Sequence, residues 1–118
     1  MKNMPFSEAV SRSRNIREAY HRLELQHHGS EWTTGEDALA FLTDAALVGR
    51  LTMAYQERWP LENGQAHDLE HKLGECLWWL IVLAGRMGID AESALESFLT
   101  TTEQQLSGSQ VPKPPPQT

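Results

Sequence analysis

HDLEHKLGECLWWLIVLAGRM, residues 67–87, is polar in its first half and apolar at every position from Cys76 to Ala84. A helix apolar on all sides belongs in the middle of a bundle. Its polar front end carries Asp68, Glu70, His71, Lys72 and Glu75, where that centre opens to water. A functional site is expected there. The apolar run is shorter than the roughly 20 residues that span a bilayer.

The rest of the chain supplies neighbours for this helix. Residues 37–58, DALAFLTDAALVGRLTMAYQER, follow Thr33-Thr34-Gly35-Glu36, a capping-box pattern with Thr33 as N-cap and Glu36 three residues on. This second helix is apolar over most of its girth and is the partner of the first. Trp59-Pro60 closes it, because the residue before proline avoids helical angles. Asp44 stands in its middle among Ala, Leu and Phe, and a carboxylate in such surroundings needs a partner.

Upstream, Phe6, Val10, Ser13, Ile16, Tyr20 and Leu23 recur in steps of three and four, which predicts a helix from Ser7 to Gln26. Ser7 is its expected N-cap and Gly29 its C-terminal stop. Arg12, Arg14, Arg17 and Arg22 fall on its other face, read as solvated or as an edge toward phosphate. His27 and His28 are placed in the loop after it; without a third ligand they make a weak metal site.

Downstream, Asn63-Gly64 marks a turn, Gly88 ends the central helix, and Asp90 caps a last one. Ala91, Ala94, Leu95, Phe98, Leu99 and Thr102 trace the buried stripe of that helix. The expected organisation is one helical domain over residues 1–106 and a Pro-rich, disordered tail over 107–118.

The fold class is therefore all-α, a four-helix bundle. The two nearly all-apolar helices offer more surface than narrow neighbours can cover, which predicts a homodimer, or a tetramer, formed through them. Adjacent Trp78 and Trp79 point about 100° apart, one expected toward the bundle and the other toward the dimer seam. Trp32 offers an aromatic face on which a base could stack.

The 118 residues are 40% hydrophobic and 22% charged, and the net charge of −6 argues against nucleic acid as the partner. Cys76 has no second cysteine to pair with and reads as a packed thiol. The first residues, MKNMPFSEAVSRSR, lack the apolar core of a signal peptide, and no membrane association is expected; the cytoplasm is the expected compartment.

FLTDAALVGRLTMA and HKLGECLWWLIVLA, followed by GIDAESAL, resemble the MazG-like all-α nucleoside triphosphate pyrophosphohydrolases. The resemblance runs from about Trp32 to Leu106. It implies a dimerising bundle and Mg²⁺-dependent cleavage of a nucleoside triphosphate to the monophosphate and pyrophosphate. In that family two carboxylate pairs, each at i and i+3, face one another across two helices. Residues so spaced share a helix face, and four carboxylates can hold Mg²⁺ against substrate phosphates.

Here the first pair is Asp44 with Leu47, and the second is Lys72 with Glu75. Asp44 and Glu75 are the catalytic and metal-binding candidates that the resemblance carries over. His71 is a further candidate ligand: His67, His71 and Glu75 share a face at steps of four and could hold Zn²⁺ or Mn²⁺. Lys72, on the face of Glu75, is expected to put its ammonium where the metal would sit. Two functions follow as expectations. One is a Mg²⁺- or Mn²⁺-dependent pyrophosphohydrolase with an altered site. The other is an inactive helical dimer that acts as a binding or structural module.

Overall fold

A computed structural model of the chain describes residues 3–60 and 66–108, with side chains from 68 onward in the second segment. Among the described residues the chain is all-α: α1 (Phe6–His28), α2 (Thr34–Tyr55), α3 (Ala66–Arg86) and α4 (Ala91–Ser107). Of the tail expected over 107–118, Ser107 belongs to α4, and residues 109–118 lie outside the described residues, as do the Asn63-Gly64 turn and the His67 side chain.

Helix ends follow their caps. The Thr33 hydroxyl accepts from the Glu36 amide, and the Glu36 carboxylate accepts from the Thr33 amide at 2.8 Å, the reciprocal box expected from the sequence. Asp90 caps α4 by accepting from the Ser93 amide at 3.0 Å. Gly29 and Gly88 stop α1 and α3 at φ of 79° and 73°, left-handed angles that a glycine adopts without a Cβ clash.

Three expected ends shift. Pro5, not Ser7, holds the N-cap of α1, and its carbonyl accepts from Glu8 and Ala9. His27 and His28 form the last turn of α1 rather than the loop beyond it. Glu57, at φ 61°, breaks α2 after Tyr55, short of Arg58.

Helix α3 is the hub and packs on α2, α1 and α4, most extensively on α2. Trp79, Val82 and Leu83 are its buried apolar side chains, and among the described residues they are the whole apolar core. Both tryptophans point inward, so the expected split between bundle and seam does not occur. Trp79 turns to α2 and hydrogen-bonds Asp44. Trp78 turns to α1, donates from Nε1 to the Ser13 carbonyl at 3.3 Å and meets Tyr20 edge-on.

Three apolar stripes face away from this core. On α2, Leu39, Leu42, Ala46, Gly49 and Met53 repeat in alternating steps of three and four on the side turned from α3, and all are exposed. On α3, Leu73, Leu77 and Leu80 do the same. On α4, Leu95, Phe98, Leu99 and Leu106 are exposed, and no residue of the helix is buried. The Cα radius of gyration is 17.7 Å, against about 13–14 Å for a compact domain of this length.

Candidate functional site

Two polar clusters lie on either side of the Trp79 indole, and each ties α2 to its neighbours. The first gathers the residues that the sequence nominated. Lys72 Nζ stands 3.1 Å from Asp44 Oδ1 and 2.8 Å from Glu75 Oε1, and it donates to both. Asp44 Oδ2 accepts from Trp79 Nε1 at 2.8 Å. The three charged side chains keep between 15 and 32% of their surface, so the cluster is screened only in part.

The hydrogen bond to Glu75 raises the lysine above its ordinary pKa; partial burial opposes it, and Asp44 reinforces it. The ammonium is charged at any physiological pH. Cys76, next along α3, is pushed up by burial and by the nearby Asp44 and Glu75 charges, which suits a packed thiol.

His71 is exposed and lines a groove with Glu70, Gly74 and Glu75. Among the described residues, no three His, Cys, Asp or Glu side chains converge as a metal-binding group. Leu47, where the resemblance would want a carboxylate, is a half-exposed apolar group.

The donor set does not suit Mg²⁺. That ion takes a near-octahedral shell of oxygens. Both Asp44 oxygens and one of the two Glu75 oxygens already accept from Lys72 or Trp79. An ammonium within 3.1 Å of the carboxylates also repels a second cation.

The second cluster is one the sequence reading missed. Asp37, in the first turn of α2, has no exposed surface. Arg17 grips it through Nη2 at 2.8 Å and Nε at 3.2 Å, and Arg86 adds a contact at 2.8 Å. Arg17 also pairs with Glu24, at 2.8 and 3.3 Å. Glu24 accepts from the Trp32 amide, and Arg86 donates to the Trp32 carbonyl, so the loop before α2 is fastened from both sides.

Burial disfavours the charge on Arg17, but its bonds to Asp37 and Glu24 outweigh that and raise its pKa. Burial likewise pushes Glu24 up, yet the Arg17 and Trp32 hydrogen bonds win and hold it below the ordinary carboxylate value.

Arg12, Arg14 and Arg22 are exposed, as expected of a solvated face, and Arg17 is the exception. Arg17 is 4% exposed. Its ion pairs turn Ser13, Arg17, His21 and Glu24 inward and rotate the expected apolar stripe outward, leaving Ile16, Tyr20 and Leu23 about half exposed. Tyr20 and Leu23 wall an open cavity of about 750 Å³ between α1 and α3. One signal was available in the sequence. Asp37 precedes Asp44 by seven residues, two helical turns, so both carboxylates fall on one face of an apolar helix.

Compared with known proteins, the chain matches no family model, no curated protein and no solved structure.

Proposed function

We propose that this chain is a MazG-like helical bundle whose carboxylate centre is closed by its own lysine. It works as a self-associating binding module and not as a nucleoside triphosphate pyrophosphohydrolase. The observation that carries this reading is the position of Lys72 Nζ, within 3.1 Å of both Asp44 and Glu75. A protein-borne cation in that place satisfies the carboxylates without Mg²⁺ or Mn²⁺ and leaves no set of oxygens to hold a triphosphate through a metal.

Self-association rests on a separate observation. Among the described residues, three buried apolar side chains make a small core, while α2, α3 and α4 each present an exposed apolar stripe. Stripes with alternating three- and four-residue steps fit against helices of a second copy. By length and composition α2 could also cross a membrane. A second copy is the better cover, because Asp37 and Asp44 hold α2 in ion pairs to α1 and α3 within the bundle.

The test is an assay of pyrophosphate release from each NTP and dNTP with Mg²⁺ or Mn²⁺, beside a sedimentation measurement. This reading expects no release above a Glu75→Ala control and a dimer or tetramer at micromolar concentration. Release above the control, or a stable monomer, contradicts it.

A further inference from the structure

The cavity between α1 and α3 opens beside the carboxylate centre and shares Glu75 and Trp79 with it. Its volume, about 750 Å³, falls within the range of small-molecule sites, roughly 300–1,000 Å³. Tyr20, Leu23, Trp32, Trp78 and Trp79 line it, and the Arg17 guanidinium lies 6.0 Å from the Trp32 ring and 5.8 Å from the Trp79 ring, which leaves the Tyr20 and Trp78 faces open. Tyr20 and Trp78 meet edge-on at 6.0 Å, and Trp78 and Trp79 are tilted at 4.6 Å.

Charge selects among the ligands that such walls accept. Arg17, the buried cation of the lining, spends its hydrogen bonds on Asp37 and Glu24. Lys72 is held by Asp44 and Glu75. A phosphate would meet no free guanidinium or ammonium among these groups; the other basic side chains of the lining are the imidazoles of His27 and His28, at the end of α1. Glu75 also lines the cavity, and its Oε2 has no partner among the described residues. Across the two clusters four carboxylates (Glu24, Asp37, Asp44 and Glu75) face three cations (Arg17, Lys72 and Arg86). Aromatic faces around a spare carboxylate oxygen are the chemistry that recognises an ammonium ion.

We propose that this cavity is a binding site for an organic ammonium cation, a charged amine on an apolar skeleton. The ammonium bonds to Glu75 Oε2, and the skeleton packs on Tyr20, Trp78 and Trp79. The site does not depend on the MazG-like reading, since none of its contacts uses a metal or a phosphate.

The probe is 2-phenylethylamine, cationic at pH 7, against 2-phenylethanol, its neutral counterpart of nearly equal shape. Binding is followed by tryptophan fluorescence and by calorimetry on the full chain. The amine should bind saturably and about tenfold or more tightly than the alcohol, the range of a charge-assisted bond with cation–π support. Glu75→Gln should bring the amine to the level of the alcohol. Tyr20→Leu should weaken the amine at least about fivefold; Tyr20 is half exposed and makes no side-chain hydrogen bond among the described residues, so the fold survives its loss. Glu8→Gln, on the exposed part of α1, should change nothing. Equal binding of amine and alcohol, no saturable binding of the amine, or tighter binding of ATP than of the amine would each overturn the proposal.

Discussion

Arg17 and Asp37 form a two-pronged ion pair across the α1–α2 boundary, at 2.8 and 3.2 Å, and the carboxylate has no contact with solvent. A charge in that position is tolerable only while its partners stay in place. Arg17→Met should therefore cost about 3–5 kcal/mol, because it leaves Asp37 buried with Arg86 alone. Chemical denaturation measures this, and a loss below about 1 kcal/mol, the level of an exposed pair, would show that the pair is not closed.

Glu24 gives the same network a pH dependence. Its folded pKa is depressed, so its contribution is present above the ordinary carboxylate value of about 4.3 and is lost as pH falls through the folded value. Glu24→Gln should lower stability at pH 7 by about 1–3 kcal/mol. Thermal melts of parent and variant should then draw together as pH falls below the ordinary carboxylate value and converge below the folded one, where the parent carboxyl is also neutral. A gap that stays constant down to pH 3 would assign the effect to packing.

The outward stripes make a prediction about assembly. Leu42 on α2 and Leu77 on α3 are 63 and 64% exposed, so a substitution there meets little within its own chain. In a seam between copies the same change buries an unpaired charge. Leu77→Glu and Leu42→Glu should each give a monomer by sedimentation, with a melting temperature that no longer rises with protein concentration. Oligomers that persist in both variants would move the seam to α4 and its exposed Phe98.

Much of the fold was legible because its signals are local. The capping box at Thr33, the Asp90 cap and the glycine stops at 29 and 88 depend on residues within one turn. Asp44 and Lys72 were also legible, since a mid-helix carboxylate in an apolar stretch has to find a cation. The facing of α1 was not. Its apolar spacing pointed Ile16, Tyr20 and Leu23 inward, but ion pairs to Asp37 and Glu24 turned Arg17 inward instead. Periodicity measures which side of a helix is greasy, and it carries no information about partners twenty residues away. The inward turn of Trp78 was hidden for the same reason: it follows from a bond to the Ser13 carbonyl, 65 residues distant.

Lys72 itself should matter to stability. Its side chain is about a fifth exposed, which places it between a wet pair and a buried one. Lys72→Ala should cost about 1–3 kcal/mol, less than a sealed ion pair. Millimolar Mg²⁺ or Mn²⁺ should return part of that loss by binding the carboxylates the lysine has left.

The most direct test of the closed carboxylate centre is the melting temperature with and without millimolar Mg²⁺, measured on the parent and on the double variant Leu47→Glu with Lys72→Glu. The double variant places four carboxylates at i and i+3 positions of α2 and α3. It should gain several degrees from the metal, by the coupling of ligand binding to folding, while the parent gains none. A parent that already gains several degrees from Mg²⁺ would contradict the account, because its lysine would then not be standing in for the ion.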